Sequence, residues 1–128
     1  MRYGESTRKE ASRRYYENHR EEILRKKKMR DEINRERKNE AKRNKRKELQ
    51  AIVTEAKSMP CADCKIEYPY YVMDLDHVRG EKVACLSKLV RSGGSVEAVL
   101  EEIAKCEAVC SNCHRERSFT RGQCGAQL

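Results

Sequence analysis

The 128-residue chain has no tryptophan, one phenylalanine and two prolines, and only 38% of it is hydrophobic. That supply excludes a large apolar core. A small domain so poor in aromatics needs a staple, and a structural metal is the usual one where cysteines come in pairs. No apolar run is long enough to span a membrane, and the N-terminus lacks the apolar segment of a secretory signal. The cysteines number seven, an odd count. With no secretion signal, this favours metal ligation in a reducing cytoplasm over a disulfide framework.

Charge is what the chain has in abundance. Charged residues make up 39% of it and the net charge is +8, with a pI near 9.2, which favours a polyanionic partner such as nucleic acid. The excess is local. Residues 1–57 hold 20 Lys and Arg against 11 Asp and Glu, a net of +9, whereas residues 58–128 hold 9 against 10, a net of −1.

The basic segment reads as helix over 6–57, being dense in Glu, Lys, Arg and Ala and free of Pro and Gly after Gly4. Glu10/Arg14, Glu21/Arg25, Glu22/Lys26 and Asp31/Arg35 are acid-before-base pairs four apart, each expected to add a few tenths of a kcal/mol. Apolar residues are sparse up to Lys47, so most of this helix has no face to bury, and a break near Asn34–Asn44 is compatible with the pattern. Its last turns differ: Leu49, Ile52, Val53 and Ala56 fall on one stripe, which predicts docking onto the C-terminal part. Ser58-Met59-Pro60 then ends the helix. In a nucleic-acid reading, Arg25, Lys26, Lys27, Lys28, Arg43, Lys45, Arg46 and Lys47 of the arm contact phosphates.

Beyond it the spacing predicts a strand over 70–78, with Tyr71, Met73 and Leu75 on one face, and Gly80 as punctuation. A short helix over 83–91, a break at Ser92-Gly93-Gly94, and an amphipathic helix from Val96 to Ile103 capped by Ser95 follow. A short strand over 107–109 leads to a basic helix running to about Thr120, with Ser111 as its expected cap. The tail, 122–128, reads as disordered.

Two C-x-x-C turns stand out. Cys61, Cys64, Cys110 and Cys113 supply four soft ligands at the spacing of a tetrahedral zinc site. A Cys3His alternative through His114 would leave one thiol idle. Cys106 reads as core, and Cys85 and Cys124 lack partners at ligand spacing. Asp76-His77 pairs a carboxylate able to hold a hard cation with an imidazole able to accept a proton from water. Strict strand alternation puts the two on opposite faces, which demands a bend or makes Asp74 the partner on the Asp76 side; Asp76 is the preferred reading. His114 directly follows the second knuckle, and Arg115, Arg117 and Arg121 follow it as candidate phosphate contacts.

The motifs C-A-D-C, M-D-L-D-H-V-R-G-E-K-V, E-I-A-K-C-E-A-V-C and S-N-C-H-R-E-R, spanning 61–121, together resemble the HNH endonuclease family in its zinc-knuckle form common in phage genomes. The resemblance implies an α+β fold: a small ββα-metal domain at 58–121, zinc-stapled and preceded by a long basic helical DNA-binding arm at 1–57. It implies strands near 71–77 and 107–110 and a helix near 112–120. It implies that Asp76 and His114 hold a catalytic divalent cation, Mg²⁺ or another. His77 would then be the general base, and the zinc structural. The expected activity is hydrolysis of DNA phosphodiester bonds, in a bacterial or phage-infected cell. The chain departs from the family pattern where an Asn is usual: Cys85 stands at the corresponding position, so that either Asn112 or a backbone carbonyl takes over or activity is reduced. The alternative expectation is a zinc-stapled nucleic-acid-binding module with weak or no catalysis.

Overall fold

A computed structural model of the protein describes residues 5–123. It is α+β, with four α-helices and one two-stranded antiparallel sheet. The chain divides into two compact units at Ala41/Lys42. Helix α1 runs unbroken from Glu5 to Lys57, so the break allowed near Asn34–Asn44 does not occur. No Gly or Pro interrupts residues 34–44, and helix propagation past the three Asn there costs little.

The first unit is solvated helix. Almost every side chain on it is exposed. Its order comes from local pairs: Glu22–Lys26 at 2.6 Å, Arg13–Glu17 at 3.1 Å, and Tyr15 stacked on His19 with ring centroids 4.2 Å apart.

The second unit begins at Lys42, inside the helix, because the predicted stripe docks. Leu49 and Val53 are buried with Leu86, Val90, Val99 and Cys106, and Ile52 packs against them. Helix α2 (Leu86–Ser92) ends at Gly93, whose φ of 68° only glycine adopts without strain. There the amides of Gly93 and Gly94 close on the carbonyls of Val90 and Leu89, a Schellman end. Helix α3 (Val96–Ala104) starts at Ser95, whose Oγ accepts from the Ala98 amide as expected.

Strand β1 (Met73–His77) pairs with β2 (Cys106–Cys110) in a register that sets Met73 opposite Cys110 and His77 opposite Cys106. Helices α2 and α3 are therefore an insertion between the strands. Tyr70–Val72 forms a 3-10 turn rather than strand, leaving Tyr71 exposed instead of aligned with Met73. Helix α4 (Ser111–Thr120) follows β2 with no linker. Its cap is Cys110, whose Sγ accepts from the Cys113 amide, while Ser111, the expected cap, sends its hydroxyl to the Val72 carbonyl. Gly122 and Gln123, assigned to the tail, close the end of α4 through bonds to Phe119 and Ser118. Residues 124–128, including Cys124, lie outside the described residues. Among the described residues, no helix is long and apolar enough to cross a membrane.

Candidate metal centre and the charged face beside it

Cys61 opens a tight turn. Its amide donates to the Ile66 carbonyl, its carbonyl accepts from Lys65, and Lys65 takes a left-handed φ of 64° to close the loop. The amide of Ala62 bonds to the Ala108 carbonyl, which docks the turn on β2. Cys110 ends β2 and Cys113 lies on the first turn of α4. The four predicted ligands meet: the sulfurs of Cys61, Cys64, Cys110 and Cys113 all lie within 4.8 Å of one another. Thiolates at about 2.3 Å from a tetrahedral zinc stand roughly 3.8 Å apart, so the cluster fits such an ion with small side-chain adjustment.

The backbone is prepared for anionic sulfur. Burial disfavours the Cys61 thiolate, but the amides of Cys110, Cys64 and Asp63 outweigh it and bring the thiol down to about 6. Sharing hydrogen bonds with Cys110, then burial, pushes the Cys113 thiol up to about 12. Four thiols packed this closely cannot all ionise unless a cation joins them, which a divalent metal does. Cys106 is core, as expected. It is buried, its Sγ donates to the Glu102 carbonyl, and burial raises it to about 11.

The pleat of β1 separates the remaining candidates. Asp74 and Asp76 face α4, and His77 faces α3. His114, placed by the Cys110–Cys113 turn, sits between the two carboxylates. Its Nδ1 lies 3.0 Å from Asp74 Oδ2 and its Nε2 lies 3.6 Å from Asp76 Oδ1. Asp76 and His114 are thus brought near each other, but the hydrogen bond of His114 goes to Asp74. Asp76 is nonetheless claimed by two arginines. Arg121 grips both its oxygens at 2.9 and 3.0 Å, and Arg117 donates to Oδ2 at 2.9 Å. Burial works against its charge, but Arg121 and Arg117 outweigh that and hold the carboxyl below its usual range.

Arg117, expected to meet phosphate, is committed internally. Besides Asp76 it bonds both oxygens of Asp63 at 2.7 and 2.6 Å and Glu107 at 2.7 Å. Asp63 chiefly, against burial, raises it above the ordinary arginine value. It joins the first knuckle, both strands and α4. Arg121, committed to Asp76 by both nitrogens, is likewise occupied in this arrangement. Arg115 is exposed.

His77 is not with His114. Its Nε2 lies 2.9 Å from Glu102 Oε2, on the opposite side of the strand from the Asp74–His114–Asp76 set. Cys85 is also elsewhere: it is exposed, precedes α2, and contacts Ser87 at 3.0 Å. Asn112 is exposed on α4. In the first unit Arg25, Lys26, Lys27 and Lys28 are exposed. In the second, Arg43 and Lys47 are exposed, Lys45 pairs with Glu48 at 3.2 Å, and Arg46 donates to the Arg91 carbonyl at 2.9 Å.

Two residues escaped sequence reasoning. Glu102 is buried on the inner face of α3 among Val99 and Ile103; a carboxylate within an apolar stripe was the available signal. Asp63, between the knuckle cysteines, carried none, because its partner Arg117 lies 54 positions away. Comparison of the chain with known protein families, with curated proteins and with solved structures returns no match.

Proposed function

We propose that the protein is a zinc-stapled, metal-dependent DNA endonuclease of the HNH kind, with the basic helix supplying backbone affinity. The observation that carries this reading is the line Asp74–His114–Asp76. A metal-bound histidine typically gives its second ring nitrogen to a carboxylate, which fixes ring orientation. Here Asp74 holds Nδ1 at 3.0 Å, and Nε2 faces Asp76 Oδ1 at 3.6 Å, a spacing compatible with two ligands flanking one ion. Asp76 and His114 would hold Mg²⁺ or another divalent cation, and Cys61, Cys64, Cys110 and Cys113 a structural zinc. Such a cation, when bound, polarises the scissile phosphate and stabilises the leaving oxygen. The chain's own contribution is placement: the four-thiol turn sets α4 on the hairpin, and with it the angle of His114.

Arg117 and Arg121 favour a second reading. Three guanidinium bonds already satisfy Asp76, which suits a nucleic-acid-binding module that does not cut. Plasmid nicking with Mg²⁺ or Mn²⁺ separates the two. Wild-type protein should nick, and His114→Ala should lose the activity while keeping its zinc and its melting transition. DNA binding by zinc-loaded protein without any metal-dependent nicking would establish the second reading instead.

A further inference from the structure

We propose that Glu102 is a positioning residue for His77, fixing it as the tautomer whose free lone pair is on Nδ1; this rests on the endonuclease reading, with His77 as the proton acceptor. The pair forms across 25 residues, between the last residue of β1 and the inner face of α3, with Nε2 and Oε2 2.9 Å apart. Both members are shielded, the His77 side chain being 18% exposed and that of Glu102 4%. The other carboxylate oxygen is fully engaged. Oε1 accepts from Lys105 Nζ at 2.7 Å and from the Val83 amide at 3.4 Å, and the same ammonium donates to the Glu81 carbonyl at 2.8 Å. Glu102 therefore cannot rotate away from His77 without releasing both Lys105 and the Val83 amide.

An ionised carboxylate only accepts hydrogen bonds. Lys105 foremost, against burial, and then His77 keep Glu102 ionised, its carboxyl brought down to about 2. The ring nitrogen facing it must then be the N–H, so that in the neutral ring the acceptor is Nδ1. Lys105 alone would neutralise Glu102. Spending the second oxygen on a partly accessible imidazole at a strand end is the arrangement by which a base is oriented for proton transfer. Neighbouring residues on a strand are about 3.8 Å apart at Cα. For Asp76 and His77 to act on one phosphate it would have to sit beyond the end of β1, since the two side chains leave the strand from opposite faces.

Long-range ¹H–¹⁵N spectra of the zinc-loaded full chain test the geometry without any variant. His77 should show a protonated Nε2 and a bare Nδ1, and the opposite tautomer would overturn the proposal. For Glu102→Gln, zinc content and DNA affinity should stay at wild-type values and melting should stay cooperative though at lower temperature, because Lys105 loses its ion-pair partner. The single tautomer should be lost, and kcat for nicking should fall about 100-fold, the lower end of what a positioned base contributes. If the variant nicks at the wild-type rate, or loses activity only in step with loss of its melting transition, Glu102 does not position His77 for catalysis. A wild-type protein that never nicks with Mg²⁺ or Mn²⁺ removes the endonuclease reading, and this proposal with it.

Discussion

Residues 5–41 and residues 42–123 are ordered by different physics. In the first unit the ordering pairs span four residues, Glu22–Lys26 and Tyr15–His19 among them. Such pairs are individually weak, and helical order accumulates from propensity along the chain. In the second unit the pairings that matter span tens of residues: Cys61 with Cys110, Asp63 with Arg117, His77 with Glu102. A chain with one Phe and no Trp builds that unit from a short set of aliphatic side chains and four thiols. Its stability is concentrated in few places, whereas that of the first unit is spread thin.

The strongest way to break this contrast is to remove the most deeply buried thiol of the four-cysteine cluster. Cys61→Ser should abolish cooperative melting of the second unit, because a structural zinc supplies on the order of 10–16 kcal/mol of folding free energy. The helix signal of the first unit should largely remain in circular dichroism. A variant that keeps its melting transition would show that the thiol cluster is not the staple.

A smaller effect is expected at the point where α1 enters the second unit. Leu49 is fully buried, and Leu49→Ala should cost about 2–5 kcal/mol in denaturant unfolding. An exposed apolar residue of the first unit, Leu24, should tolerate the same change without a measurable shift. Equal effects at both positions would erase the distinction.

The smallest effect on stability, and the most telling for function, concerns Lys26, Lys27 and Lys28. Replacing all three by Gln should leave the melting transition where it is. The slope of log affinity for duplex DNA against log salt should fall by about 0.9 for each phosphate that is no longer neutralised. An unchanged slope would mean that this stretch of the arm does not touch the backbone.

How far the residues could be read in advance follows the same division. Element order, the Ser95 cap, the glycine stop at Gly93 and the Leu49–Val53 stripe were legible because each depends on neighbours within one or two turns. So was the four-cysteine set, since C-x-x-C spacing is itself a local geometry. The continuity of α1 past Asn34–Asn44 was less so, since Asn costs a helix too little to mark a boundary either way. The cap of α4 went to Cys110 rather than Ser111 because the thiol cluster, a tertiary feature, decides which side chain faces the free amides. Arg117 looked like its neighbours Arg115 and Arg121, and no pattern foretold that three carboxylates would enclose it.

What the amino-acid order determined by itself was therefore an α+β chain with a basic solvated helix and four thiols spaced for one ion. Periodicity, capping and turn chemistry act over a few residues and are written in the local order. Only the tertiary structure decided that Asp74 shares His114 with Asp76, that Arg117 and Arg121 hold Asp76, and that His77 turns away to Glu102. The pleat of β1 forces consecutive side chains to opposite faces, and which partner waits on each face depends on helices docked from 25 to 45 residues away.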